Sequence, residues 1–377
     1  MLKDTLMKNV LKNGVLNFKP GKILNKLKDS EPSIYVDFML QSINPMWSYR
    51  KSNAKIVAIL ADTPQSSRIR IQPNGRWDFK FLAGQHLPIT ININGAFVQR
   101  YYSISSSPEF YEANGVFDIT VKEQSQGIMS QRLNQGIKVG DIIEIGAPQG
   151  EFILPKTPTP LLFIAAGSGI TPMYSMVESV YFQYRRQNMD FDIEVLYYGR
   201  EKQNLILYKE LAKICQDFPA IKLKYIPVAD KGYFKEEHLQ EFCSDYSCRK
   251  IYLCGPTGFI KSTLKTFKEQ QVPDSQIMVE YFGAAQEASE EFKAGKIHFE
   301  NSNVVIDNTD NKSLLEIAES NKVYPTHGCR QGICKRCQCS KAKGTVYNTR
   351  TQEWHIKDNE TIELCTSIPV GDVSLSI

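Results

Sequence analysis

An antiparallel β-barrel, an α/β domain on a parallel sheet and a small α+β module, joined in one chain, are what the sequence predicts, and three observations carry that reading. Residues 53 to about 155 show short alternating segments broken by Gly, Pro and Asn turns, the rhythm of an antiparallel barrel. From Leu161 the period changes, and apolar strands alternate with helical segments as βαβ units on a parallel sheet require. Beyond a polar, Glu- and Ala-rich stretch, residues 296–377 hold five cysteines, four of them at a spacing too regular for scattered core thiols. A chain of 377 residues is long enough for two to three domains, each with its own core.

The elements follow in order. Strands are expected at 54–60, 68–72, 87–93, 115–122 and 141–145 in the first block, and at 161–166, 193–198, 222–227 and 250–254 in the second. In the last block 296–299 and 303–307 read as a hairpin and 313–321 as a helix, with Ser313 as its cap or first-turn residue. The domain boundaries this implies are 1–52, a basic helical extension; 53–155, the barrel; 156–283, the α/β domain; 284–295, a linker; and 296–377, the cysteine module.

Charge is concentrated at one end. The net charge is only +4, yet residues 1–52 hold nine Lys or Arg against four acids. Leu2, Leu6 and Val10, with Met7 and Leu11, recur at helical spacing between lysines, which predicts a basic amphipathic helix. Packing on the protein's own surface is the first reading, and peripheral association with an anionic membrane the second. Nucleic acid is not expected as a partner, because basic and aromatic residues do not interleave and no nucleic-acid module is present. No stretch approaches the ~20 apolar residues of a membrane span, and no basic-then-apolar leader opens the chain. Nine cysteines without a disulfide framework suit a reducing compartment, so the expected location is cytoplasmic, with the inner face of the membrane as a peripheral alternative.

Cys329, Cys334, Cys337 and Cys365 are spaced C-x4-C-x2-C with 27 residues before the last, the pattern that ligates a plant-type [2Fe-2S] cluster. Gly328 and Gly332 stand where such a loop must turn. Structural zinc is the alternative, but zinc usually takes two short cysteine pairs rather than three ligands on one loop. In the first block, Arg100-Tyr101-Tyr102-Ser103 offers a guanidinium for phosphate, an aromatic face and a hydroxyl at one strand end, which suits a flavin. Gly127-Ile128-Met129-Ser130 reads as a helix start able to receive a pyrophosphate. In the second block a strand runs into Gly167-Ser168-Gly169-Ile170-Thr171-Pro172, a glycine turn opening a helix of the kind that meets a dinucleotide. The third glycine of the usual fingerprint is missing, and Arg200 with Lys202 stands where an acid would bind a ribose 2′-hydroxyl, which favours NADPH, with NADH the alternative. Cys254-Gly255-Pro256 closes another strand, where it would border a nicotinamide or be an ordinary turn with a buried thiol.

Taken together and in this order, these motifs resemble the ferredoxin-NADP reductase superfamily fused to a plant-type ferredoxin, over about residues 45–377. The resemblance implies an antiparallel β-barrel flavin domain, an α/β parallel-sheet nucleotide domain and an α+β β-grasp ferredoxin domain. It implies FAD contacts from Arg100, Tyr102, Ser103 and Lys122, with Gly127, Met129 and Ser130 at its phosphates. It implies nicotinamide-nucleotide contacts from Gly167, Gly169, Thr171, Pro172, Arg200, Cys254 and Gly255, places Glu280 and Phe282 near the redox centre, and makes the four cysteines ligands of the [2Fe-2S] cluster. No side chain is expected to act as a general acid or base. Residues 42–48 ahead of the barrel are similar to those of reductases that serve membrane fatty-acyl desaturases and di-iron hydroxylases. The expected activity is therefore electron transfer from NADPH through FAD and the cluster to a separate terminal desaturase or oxygenase. The reductase component of a Rieske ring-hydroxylating or demethylating oxygenase is the alternative acceptor system, and a non-catalytic electron carrier or redox sensor the rival of another class.

One departure stands out. Plant ferredoxins are acidic, whereas residues 296–377 balance ten basic against ten acidic side chains, with Lys335 and Arg336 inside the cysteine loop and Lys341 and Lys343 just after it. These lysines are expected either to form a basic rim that steers an acidic partner or simply to be solvated. Cys339 is expected to be a buried bystander.

Overall fold

The computed structural model describes residues 32–48, 52–75, 78–93, 96–125, 127–187, 191–282, 294–308, 312–328, 330, 332, 335–351 and 353–377. The expected amphipathic helix of residues 2–11 lies outside them, as do Cys329 and Cys334. The chain divides into two compact units, Met1–Lys51 and Ser52–Ile377. In the first, helix α1 (Pro32–Ile43) ends at Asn44, whose side-chain Oδ1 accepts from Met46 N–H at 2.9 Å.

The second unit begins with a six-stranded antiparallel sheet of β1 (Ser52–Thr63), β2 (Ser66–Pro73), β3 (His86–Ile93), β4 (Ala96–Ser103), β5 (Phe117–Lys122) and β6 (Ile142–Ile145). Its order is β4-β3-β6-β1-β2-β5, and an Ile104–Ile119 bridge joins the two ends, closing the sheet on itself as the barrel reading requires. Inward residues at period two, among them Ile56, Ile69, Leu87, Ile89, Phe117 and Ile119, fill the core. Residues 115–116, expected within a strand, instead close helix α2 (Pro108–Asn114): Ser107 caps its start and Gly115 takes the left-handed conformation at its end.

Next comes a five-stranded parallel sheet, β11-β10-β7-β8-β9, built from β7 (Leu161–Ala166), β8 (Ile193–Gly199), β9 (Ile221–Pro227), β10 (Lys250–Gly255) and β11 (Ile277–Tyr281). Every residue of β7 is buried, because helices cover both faces. Leu161, Phe163 and Ala165 pack into one core, and Leu162, Ile164 and Ala166 into the other. The helices that matter for the site are α3 (Ile128–Gln131) in the barrel domain and α4 (Ile170–Gln187) and α5 (Thr257–Glu269) in the α/β domain. Polar contacts hold the α/β domain to the barrel: Ser107 N–H donates to Glu178 Oε2 (2.6 Å) and Ser175 Oγ to the Ser106 carbonyl (2.7 Å).

The C-terminal module carries β12 (Gly295–Phe299), β13 (Val304–Asn308), β14 (Gln338–Asn348), β15 (Glu353–His355), β16 (Glu360–Glu363) and β17 (Ser367–Leu375), ordered β13-β12-β17-β14-β15 with β16 on β14. Helix α6 (Leu314–Ser320) packs its buried face of Leu314, Leu315, Ile317 and Ala318 on this sheet. Ser313 caps it in a reciprocal box with Glu316. Lys341 is not part of a basic rim: it is fully buried, and its ammonium donates to the carbonyls of Gly344 (2.7 Å) and Lys357 (2.6 Å). Cys339 is buried in the same core, and burial, with Cys337 adding to it, pushes its thiol up to about 12.

Candidate functional site

A cavity of about 750 Å³ opens where the three domains of the second unit meet. The barrel supplies Arg100, Tyr101, Tyr102 and Ser103 from the end of β4, Lys122 from the end of β5, and Gly127, Met129 and Ser130 from the turn into α3. From the α/β domain come Ser168 and Thr171 at the start of α4, Gly255, Pro256 and Thr257 between β10 and α5, and Phe282 just after β11. Glu319 and Arg330 close it from the C-terminal module. Ten of the residues expected from sequence therefore share one wall system, while Gly167, Gly169, Pro172, Arg200, Cys254 and Glu280 do not line it.

Local chemistry explains several of these placements. Ser103 Oγ is buried at the cavity wall with no protein partner, an orphaned polar atom that fits a flat heterocycle bringing its own donor or acceptor. Burial holds the neighbouring Tyr102 phenol well above its usual range, so it presents a neutral ring. The Ser130 hydroxyl is occupied within its own turn, donating to the Gly127 carbonyl (3.0 Å) and accepting from Gln124 N–H (3.1 Å), and the Met129 side chain is buried in the barrel core. At that turn the cavity is therefore met by backbone and by the exposed Ile128 side chain. Thr171 Oγ1 donates to the Ser168 carbonyl (2.9 Å), which fixes the turn that follows β7.

The packing of the turn itself requires Gly169. A Cβ there would lie 2.2 Å from the Cys254 carbonyl oxygen, so its small size lets the turn approach β10. Cys254 points into the core, where burial first and the Glu280 carboxylate second hold its thiol protonated. Glu280 reaches across to the barrel, its Oε1 2.9 Å from His86 Nδ1, and its carboxyl is raised by burial against the opposing effect of that bond. Arg200 is exposed beyond the end of β8.

The cysteine loop meets the flavin-side wall at one contact and the cavity edge through a pair within its own module. Arg100 Nη1 donates to the Gly328 carbonyl (3.1 Å), one residue before Cys329. Arg330, in a left-handed backbone conformation, pairs with Glu319 at the cavity edge. Deeper in the module, Cys337 and Cys365 are buried with their sulfurs 3.3 Å apart, beyond the ~2.05 Å of a disulfide. Gly332 N–H donates to Cys365 Sγ (3.2 Å). Two converging thiols with a backbone donor aimed at sulfur are a donor set that suits an iron-sulfur centre. The lining residues that sequence reasoning missed are Thr120, Val121 and Gln124, around the end of β5, and Glu319 and Arg330, which the C-terminal module brings to the cavity; it also missed His86, which domain docking brings to Glu280.

The family comparisons agree with the architecture domain by domain. Residues 64–153 match the oxidoreductase FAD-binding domain, 163–265 the oxidoreductase NAD-binding domain and 297–370 the 2Fe-2S iron-sulfur cluster binding domain. An NADPH oxidoreductase of Mycobacterium tuberculosis is 29% identical over 90% of this chain and 88% of its own length. A glycine betaine monooxygenase reductase subunit of Chromohalobacter salexigens is 26% identical over 87% of this chain and 96% of its own. Among solved structures, phthalate dioxygenase reductase covers 86% of this chain and 97% of its own with a TM-score of 0.60 at 20% identity, a likeness of fold. No described helix is long and apolar enough to cross a membrane. The chain is thus an oxidoreductase that uses FAD, NAD(P)H and a [2Fe-2S] cluster, and it belongs to the ferredoxin-NADP reductase superfamily, in the branch that carries a C-terminal ferredoxin domain.

Proposed function

We propose that the chain is the NADPH-dependent reductase component of a terminal desaturase or oxygenase system, and that its cavity is where reducing equivalents pass from nicotinamide to the ferredoxin domain. The observation that carries this reading is the Arg100–Gly328 hydrogen bond, which ties the flavin-side strand to the loop holding Cys329. When bound, FAD accepts a hydride and the [2Fe-2S] cluster takes electrons one at a time, so a pair is converted into singles. The side chains orient. Ser103 offers its unpartnered hydroxyl to the ring system, Tyr102 its face and Arg100 and Lys122 positive charge, while the backbone from Gly127 to Ser130 meets the phosphates. Thr171, Gly255 and Phe282 form the nicotinamide side, and Arg200 with Lys202 receives a 2′-phosphate. The four cysteines hold the cluster.

For the acceptor, residues 42–48 favour a membrane fatty-acyl desaturase or di-iron hydroxylase. A separate monooxygenase is the second reading, favoured because relatives covering most of the chain are named as monooxygenase reductase components. The test is reconstitution of the purified protein with NADPH and either desaturase-bearing membranes or a reductase-free monooxygenase. Turnover in the membranes alone supports the first acceptor, and turnover with the monooxygenase alone replaces it. Within the site, Arg200→Ala should raise KM for NADPH about tenfold or more and leave KM for NADH in place. An unchanged NADPH/NADH ratio removes the 2′-phosphate role.

A further inference from the structure

The cysteine loop has two unlike ends. At the first, the Gly328 carbonyl accepts from Arg100 of the barrel, and Arg330 stands at the cavity rim, paired with Glu319 of its own module. At the other, the chain turns at Lys335, in a left-handed conformation (φ 56°), with Gln338 N–H donating back to its carbonyl. Lys335 and Arg336 are both exposed, between the expected ligands Cys334 and Cys337, and Cys337, the next residue, is buried. Glu363, which lies opposite Gln338 in the β14–β16 ladder, is engaged by Gln338 Nε2 (3.1 Å) and Asn348 Nδ2 (3.4 Å).

We infer that electrons arrive through the Gly328–Arg330 end of the loop and leave through the Lys335–Arg336 end, and that this exit is a cationic docking surface for an acidic face of the acceptor protein. The inference rests on the reductase reading above and adds the chemistry of the partner. Two exposed cations between two of the expected iron ligands attract an anionic surface to the cysteine loop.

The test uses the full-length holoprotein, NADPH and two haem proteins of opposite surface charge as probes, acidic cytochrome b5 and basic cytochrome c. The cluster-deficient Cys334→Ser protein serves as blank for electrons leaving the flavin directly. Reduction of cytochrome b5 should fall as ionic strength rises from about 0.01 to about 0.15 M, which shortens the screening length from about 30 to about 8 Å, and reduction of cytochrome c should not. Lys335→Glu with Arg336→Glu should slow cytochrome b5 reduction about tenfold at low salt and accelerate that of cytochrome c, with NADPH-dependent flavin reduction unchanged. Lys335→Gln with Arg336→Gln should fall between. Lys265→Glu, an exposed change on α5 of the α/β domain, should do neither. Loop variants that behave as wild type, or Lys265→Glu producing the same shift, overturn the inference. A wild-type protein whose flavin is reduced by NADPH but which reduces neither cytochrome overturns the underlying reading as well.

Discussion

Substituting Gly169 by alanine tests how the nucleotide turn is built. The new Cβ would sit 2.2 Å from the Cys254 carbonyl oxygen, 2.4 Å from the Cys254 carbonyl carbon and 2.7 Å from Gly255 N. All three are backbone atoms of β10, an interior strand paired with β7 and β11, so no rotamer change relieves the overlap. The turn or the strand must move by about 0.8 Å to reach the 3.0 Å below which real Cβ contacts essentially do not occur. Overpacking of this kind costs about 3 kcal/mol, the upper part of the usual range. At roughly 4 °C per kcal/mol for a domain of this size, the melting temperature should fall by about 12 °C. Gly255, Pro256 and Thr257 line the cavity immediately after Cys254, so KM for NADPH should rise while bound FAD is retained. Gly167→Ala is the control: its φ is +57° but nothing lies within 4 Å of the added atom, so only the left-handed conformation is penalised, by about 1–2 kcal/mol. Calorimetry with steady-state kinetics decides. Wild-type melting and KM in Gly169→Ala, or equal damage from Gly167→Ala, would refute the reasoning.

Arg249 is 3% exposed and its guanidinium binds Asp192 (2.7 Å) and Asp245 (2.8 and 2.9 Å), tying the start of β10 to the loop before β8. Arg249→Ala should cost about 2–4 kcal/mol in urea unfolding, and a loss under 1 kcal/mol would show the network to be dispensable. Hydrogen bonding to Arg249 holds the Asp245 carboxyl below its ordinary value of 3.8, so its contribution is present above that pH and lost as pH falls through the depressed value. The half-exposed position of Asp245 keeps that contribution small. His238 is buried, with Nδ1 3.0 Å from the Tyr198 hydroxyl, and burial lowers its imidazole below 6.5. The unfolded chain binds the proton first, so stability should decline as pH drops below about 6.5, and His238→Gln should flatten that decline. An identical pH profile in the variant would contradict the assignment.

The parts of the fold set by neighbouring residues were legible in the sequence. The strand Leu161–Ala166 appears with the expected ends because six apolar residues run straight into a glycine turn, and Ser313 caps its helix because Glu316 stands three positions on. What sequence could not supply depends on tertiary approach. Glu319 and Arg330 reach the cavity only because the ferredoxin domain docks on the barrel, and His86 meets Glu280 across 194 residues of chain. The same limit explains the misreading of Lys341, whose charge suggested a surface rim until two converging carbonyls gave it a buried partner set. The glycine turn at 167–172 is legible as a nucleotide-type turn, but the close approach of Gly169 to the Cys254 carbonyl is a tertiary contact that spacing does not reveal.

Anaerobic titration with NADPH, followed in the visible spectrum and by iron and sulfide analysis, tests the central claim most directly. Two-electron delivery should bleach flavin and iron-sulfur absorbance in the native protein, and Cys334→Ser should lose the iron-sulfur change alone while its flavin is still reduced. No bleaching of the native protein by NADPH, or equal loss of both responses in Cys334→Ser, would contradict transfer from nicotinamide through flavin to sulfur-ligated iron within one polypeptide.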